Sequence, residues 1–257
     1  MRAVPDITMV KGGVGGNAWI LEEERAVTLI DSGTRASYRR ILECLCALGR
    51  EPESVSTILL THGHPDHYGG ASRLQRETGA RVLIHSADVT VNRSGTPLVR
   101  YHWVPGIVAP NVDGFLEDGQ VLPVMGGLTV LHTPGHTPGS VAFHLVARDL
   151  LFTGDTLLAN GRHFRRPLPL PHTKRSDYRR SVQRLSGLSF ETAYPGHGLP
   201  IVGGAGARLR EFDLLRYGRD VPWWWRAMRG VPLVSRLGIG IAARTLTPLG
   251  RTGESGS

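Results

Sequence analysis

Short apolar, β-branched runs recur through the first two hundred residues, each bounded by polar or glycine-rich punctuation and too short for a helix. They predict strands over Asn17–Leu21, Ala26–Ile30, Thr57–Leu60, Arg81–Ile84, Leu128–Leu131, Val141–Val146 and Leu150–Phe152. Between them, helical spacing of apolar positions predicts helices over Tyr38–Leu48, Ala71–Thr78, Ser86–Val91 and Asp177–Leu185. No repeat of solenoid or propeller length is visible. Strands and helices mixed along one chain indicate a layered α/β domain. The Pro/Gly/Arg-rich stretches 95–114 and 156–175 read as long loops, which in a compact domain are uncommon and tend to carry function.

Composition narrows the class. With 257 residues, 40% hydrophobic and 20% charged, the chain has the size and balance of a globular enzyme. A chain this long buries roughly 70–75% of its unfolded surface, so it folds without a metal or disulfide staple. A metal site in it is therefore expected to be catalytic. The net charge of +8 rests almost wholly on arginine, since only Lys11 and Lys174 of the 30 basic residues are lysine. That bias reads as codon usage, and no nucleic-acid partner is expected from it. Cys44 and Cys46 stand at i and i+2 of an expected helix and point apart, so they form no clamp and suit a reducing compartment. Residues 1–6 open no apolar leader and no apolar run is long enough to span a bilayer. The expectation is a cytoplasmic chain without a transmembrane segment.

One segment dominates the chemistry: Thr61-His62-Gly63-His64-Pro65-Asp66-His67-Tyr68-Gly69-Gly70. Three imidazoles and a carboxylate so closely spaced cannot share one face of a helix or strand, but a loop after a strand can wrap them around a point. Three further candidates each follow an apolar run: His136 in Thr133-Pro134-Gly135-His136-Thr137-Pro138-Gly139-Ser140, Asp155 in Thr153-Gly154-Asp155-Thr156, and His197 in Tyr194-Pro195-Gly196-His197-Gly198. Glycine beside each permits close backbone approach. All-nitrogen and oxygen ligation of this kind suits Zn²⁺, with Fe or Mn as alternatives.

With these motifs in this order, residues 10–205 resemble the metallo-β-lactamase-fold hydrolases, in particular the two-metal members of the glyoxalase II and lactonase branch. The resemblance implies a four-layer αββα sandwich of the α/β (α+β) class with the metals at one edge. It implies that His62, His64 and His136 hold the first metal, that Asp66, His67 and His197 hold the second, and that Asp155 bridges two Zn²⁺. Asp31, ending the strand-like Thr28-Leu29-Ile30, is then the residue that orients a ligand histidine through a hydrogen bond. The implied activity is metal-dependent hydrolysis of a small ester, lactone or thioester by a metal-bridging hydroxide, with Asp66 and Asp155 catalytic. The alternative is a phosphodiesterase or nuclease of the same fold.

The chain departs from particular branches. It has no cysteine in the third motif, as secreted β-lactamases have, and keeps His64 where flavin-partnered di-iron members carry glutamate. Glutathione-thioester hydrolases usually continue past the bridging aspartate with a Gly-Cys-Gly-Arg-like segment, whereas here stands Leu158-Ala159-Asn160-Gly161-Arg162-His163-Phe164. Homoserine-lactone hydrolases carry a tyrosine there, absent from Thr156-Leu157-Leu158. Between residues 160 and 180 seven basic residues face the single acid Asp177, and Arg162, His163, Arg165 and Arg166 are candidates to bind an anionic small-molecule substrate. His163 and His172 read as loop polars rather than extra ligands, and His85, His102, His132 and His144 as structural. Domain boundaries are expected at 1–210 for the hydrolase and 211–257 for an extension. That extension carries Trp223–Trp225 and the apolar Leu237–Ala243, and is read as a cap, a homodimer contact or a membrane-surface segment.

Overall fold

The computed structural model describes residues 2–4, 6–12, 15–101 and 106–212. These all belong to the first of two units into which the chain divides, Met1–Arg219 and Asp220–Ser257. The expected extension lies outside the described residues from residue 213 onward, as does His102.

Two mixed sheets form the interior. The first has seven strands in the order Arg2–Val4, Ile7–Val10, Ala18–Glu22, Val27–Ile30, Val55–Leu59, Arg81–His85 and Gly114–Leu116. It is antiparallel up to Val27–Ile30 and parallel from there on. The second has six, in the order Val121–Leu122, Leu128–His132, Val141–Leu145, Leu150–Gly154, Thr192–Pro195 and Ile201–Val202. It is antiparallel except where Leu150–Gly154 runs parallel to Thr192–Pro195. The helices are α1 (Ser37–Ala47), α2 (Pro65–Tyr68), α3 (Ala71–Thr78), α4 (Arg175–Ser186) and α5 (Ala205–Arg210).

Three apolar clusters separate these layers. One packs Ala18, Ile20, Val27, Leu29 and Ile58 against Ile41 and Leu45 of α1 and Leu74 of α3. The middle one interleaves Trp19, Leu21, Ile30 and Leu59 of the first sheet with Val130, Phe143, Leu150 and Phe152 of the second. The outer one packs Ala142, Leu151 and Ala193 against Tyr178, Val182 and Leu185 of α4 and Leu209 of α5. Along Ala18–Leu21 alternate residues enter different clusters, as the period of two demands. The expected αββα sandwich is the fold. Because both faces are covered, central strands read as unbroken apolar runs rather than alternating ones.

The seven expected strands are present, shifted by at most two residues, and three of the expected helices form. Ser86–Val91 is not a helix. Ser86–Asp88 is a single 3₁₀ turn and Val89–Val91 a strand paired with Pro97–Val99. The buried Asp88 carboxylate fixes the turn through long-range hydrogen bonds, and Val89-Thr90-Val91 is β-branched throughout. The stretches expected as loops also hold short strands, Pro97–Val99 in one and Leu158–Asn160 with Phe164–Arg165 in the other. Among the described residues no helix is long and apolar enough to cross a membrane.

The two sheets are fastened by aromatic rings. Trp19 stacks on Tyr194 at 4.3 Å between centroids and meets Phe152 edge-on at 5.8 Å. Truncating so large and fully buried a ring leaves a cavity between the sheets. Trp19→Ala is expected to cost about 3–5 kcal/mol, read as a lowered midpoint in denaturant unfolding.

Candidate metal centre

The parallel pairings deliver several strand ends to one edge of the sandwich, and each is followed by a polar side chain. Asp31 follows Val27–Ile30, Asp155 follows Leu150–Gly154 and His197 follows Thr192–Pro195. The loop after Val55–Leu59 carries His62 and His64 and turns into α2, whose first helical position is Pro65. Proline fits there because its missing N–H would be unpaired in any case. The turn leaves His64 extended at the helix entrance and sets Asp66 and His67 on the first turn. His136 stands in the connection between Leu128–His132 and Val141–Leu145.

The seven candidates come together. His62 Nε2 lies 2.9 Å from His64 Nδ1, which lies 3.0 Å from His136 Nε2. His67 Nε2 is 3.1 Å from His197 Nε2, which is 3.2 Å from Asp66 Oδ2. Asp155 stands between the two sets, its carboxylate 3.4 Å from His67 Nε2, 3.4 Å from His197 Nε2 and 3.5 Å from His136 Nε2. Within each of three groups (His62, His64, His136; His62, His67, Asp155; Asp66, His67, His197) the ligand atoms lie within 4.8 Å of one another. All but the half-buried Asp66 and His197 are buried.

This donor set fits divalent metal. Zinc–nitrogen bonds of about 2.0–2.1 Å in a tetrahedral field place ligand nitrogens about 3.4 Å apart, close to the separations here. Buried Asp155 Oδ1 has no hydrogen-bond partner, a cost that a cation between the two sets removes. The outer ring nitrogens of His62 and His67 are engaged elsewhere, whereas that of His136 has no hydrogen-bond partner. Asp31 Oδ2 accepts from His67 Nδ1 and from Thr61 Oγ1, each at 2.8 Å, and Thr61 Oγ1 is 3.0 Å from His62 Nδ1. With its own proton given to Asp31, the Thr61 hydroxyl accepts from His62. One carboxylate thus aims the Nε2 lone pairs of both histidines inward.

The electrostatics of the two sets differ. Burial, followed by neighbouring imidazoles, pushes His62 and His64 well below the ordinary histidine range, and burial takes His136 down to about 4. At the acidic set burial also opposes charge on histidine, but the carboxylates outweigh it. Asp155, Asp31 and Asp66 push His67 well above its usual value, and Asp155 leads in raising His197 to about 9. Burial raises Asp66 and Asp155, yet the facing imidazoles prevail and hold both carboxyls well below the usual range.

Several supporting residues are not evident in the motifs. Asn17 Nδ2 donates to the carbonyls of Pro195 and Gly198, clamping both sides of His197. Asp88 accepts from Gly63 N, Gly139 N and Thr137 Oγ1, tying the His62–His67 loop to the His136 loop. Burial pushes its carboxyl up despite these bonds. His172, expected as a loop polar, reaches the cluster. Its Nε2 lies 2.9 Å from His64 Nε2 and its ring stacks on Tyr101, with burial and then His136 lowering it to about 4. Of the residues expected to bind substrate, Arg162, His163 and Arg165 are exposed and Arg166 lies over the Phe212 ring. His85 and His132 stack on each other, and His144 Nε2 lies 3.2 Å from the Ser189 carbonyl. Cys44 and Cys46 are free thiols on α1.

Residues 12–197 match the model of the metallo-β-lactamase superfamily, and the chain belongs to that family. It is 31% identical over 206 residues to an atrochrysone carboxyl ACP thioesterase of Aspergillus fumigatus, covering 77% of this chain and 57% of the relative. It is 30% identical over 158 residues to the hydroxyacylglutathione hydrolase GloC of Haemophilus influenzae, covering 55% of this chain and 66% of the relative. The chain thus spans less than two thirds of the length of either. The fold also resembles TTHA1623, solved in a di-iron-bound form, with a TM-score of 0.59 and 30% identity over 76% of this chain and 93% of that one.

Gly16 shows how tightly the centre is enclosed. A Cβ there would stand 2.7–2.9 Å from three atoms of the His67 ring, whose Nδ1 is bonded to Asp31. Gly16→Ala is expected to weaken metal binding at Asp66, His67 and His197 by about 10–100-fold, as loss of ligand orientation does. Metal titration against a chromogenic chelator would show one weakened equivalent and one near wild type.

Proposed function

We propose that the chain is a two-metal hydrolase cleaving a small thioester or a related ester or lactone. The observation that carries this reading is the position of Asp155, the carboxylate in reach of both nitrogen sets, with Oδ1 making no hydrogen bond although it lies 3.4 Å from His67 Nε2. His62, His64 and His136 would hold one ion, Asp66, His67 and His197 the other, and Asp155 both. Two Zn²⁺ suit the donor set, and the di-iron neighbour makes iron the first alternative. Such a pair supplies Lewis acidity that polarises an acyl carbonyl and lets water ionise near neutral pH.

The protein's own groups do the rest. Asp155 sets the spacing of the two sets, and Asp31 with Thr61 fixes the tautomers of His62 and His67. Asp66, half-buried with Oδ2 beside His197, is placed to take a proton from water or pass one to the leaving group. Thioesters are favoured because the thioesterase and the acylglutathione hydrolase both act on acyl–sulfur bonds. The departure at Leu158–Phe164 argues for a carrier other than glutathione. Arg162, His163, Arg165 and Arg166 are proposed to meet an anionic part of that carrier. Residues 211–257 are proposed to lie outside the metal-binding domain, so truncation after Tyr217 would keep metal content unchanged.

The test is a panel of acyl thioesters, lactones and phosphodiesters on metal-free, zinc-, manganese- and iron-loaded protein. Thioester hydrolysis is expected to lead, to vanish without metal, and to fall about 100-fold or more in Asp155→Ala. A leading phosphodiesterase activity would replace this reading by the alternative of the same fold. Replacing Arg165 and Arg166 together by alanine is expected to raise KM for anionic acyl carriers with little change in kcat. An unchanged KM across the panel would remove both from the substrate site.

A further inference from the structure

Each inward-facing histidine of the three-histidine set poses the same question: what takes the proton on its outer nitrogen? For His62 it is Thr61, backed by Asp31. His64 is turned the other way round. Its Nδ1 faces His62 and His136, so a neutral ring with that lone pair inward carries its proton on Nε2. The group 2.9 Å from that nitrogen is His172 Nε2, contributed 108 residues further along the chain.

His172 is held in place from both sides. The face of its ring lies on Tyr101, 4.6 Å between centroids and 29° from parallel. Its backbone neighbours are tied down as well. Thr173 N donates to Leu170 O, Leu170 N donates to Thr173 Oγ1, and Lys174 N donates to Gly135 O at 2.9 Å, beside His136. The same segment therefore docks on the loop carrying one ligand candidate while its imidazole meets another. Three nitrogens of the first set converge only if His64 keeps this tautomer and this ring angle.

We propose that His172 is a positioning residue for the metal held by His62, His64 and His136: its Nε2 accepts the Nε2–H of His64 and thereby fixes which nitrogen His64 offers. The inference rests on His64 being a metal ligand. It also couples the Arg-rich segment to the metal. Docking of residues 170–174 favours metal binding at this set, and metal binding favours docking to the same extent, because such coupling is reciprocal.

The experiment uses the full chain in a His197→Ala background, where the three-histidine set is read alone, with zinc affinity measured by chelator competition. His172→Leu is expected to lose about 10–100-fold in zinc affinity, whereas His172→Gln, whose amide oxygen can accept the same proton, stays within about threefold. Hydrogen exchange of residues 168–174 is expected to slow on zinc addition with His172 or Gln present, and not with Leu. Equal affinities for the leucine, glutamine and parent proteins would overturn the proposal. A uniform loss in both variants would also overturn it, since that reports packing against Tyr101 rather than proton acceptance. His64→Ala separates the two levels of the argument. If it too leaves zinc affinity unchanged, the assignment of the three-histidine set itself is wrong. If it abolishes binding while His172→Leu does not, only the role of His172 falls.

Discussion

Asp31 occupies a left-handed backbone conformation at the end of a parallel strand, and from there its carboxylate accepts Thr61 N, Thr61 Oγ1 and His67 Nδ1. That fan of bonds is the constraint around which the centre is arranged. Crowded together in a buried space, the imidazoles disfavour charge on one another while the carboxylates attract them, and without an outer framework the rings would rotate apart or turn to pair with the carboxylates. Asp31 spends its own hydrogen-bonding capacity on keeping two rings aimed inward. Its position depends in turn on the parallel pairing of Val27–Ile30 with Val55–Leu59, which places Asp31 beside Thr61. The sandwich and the site are therefore one arrangement, since the register that buries Leu29 and Ile58 also aligns the histidines.

The rest of the framework repeats this logic with backbone. Asp88 ties main-chain groups of the His62–His67 and His136 loops together, and Asn17 holds carbonyls on both sides of His197. Gly16 and Gly196 leave the room in which His67 and Asp155 fit. None of these residues need touch a metal. Their shared contribution is to fix where the loops stand relative to the strands that carry them.

What could be read from the chain follows from range. Central strands such as Ala18–Glu22 and Val141–Leu145 are largely apolar and stand out as continuous runs, and the H-x-H-x-D-H cluster after Val55–Leu59 stands out by its composition. Short strands such as Gly198–Leu199, which pairs with Leu158–Asn160 about forty residues away, depend on a partner far along the chain and carry little local signal. Ser86–Val91 misleads because helical spacing is present while the deciding contacts of Asp88 are with Gly63 and Gly139. His172 was legible as a histidine but not as a neighbour of His64. The glycines at 15 and 16 were a visible cue, a run of small residues just before a strand, whose meaning needed the position of His67.

The strand pairing between Leu150–Gly154 and Thr192–Pro195 joins segments some forty positions apart and is what brings Asp155 to His197. An unfolded chain therefore offers no preformed pair of sites, and any ion with affinity for the folded arrangement acts as a folding ligand. At a free concentration a hundredfold above its dissociation constant, one such ion adds about 2.7 kcal/mol to the stability of the native state. For a protein with an ordinary margin of stability, that is enough to set how often it opens to a protease. The supply of such an ion would then help govern how much of this protein persists.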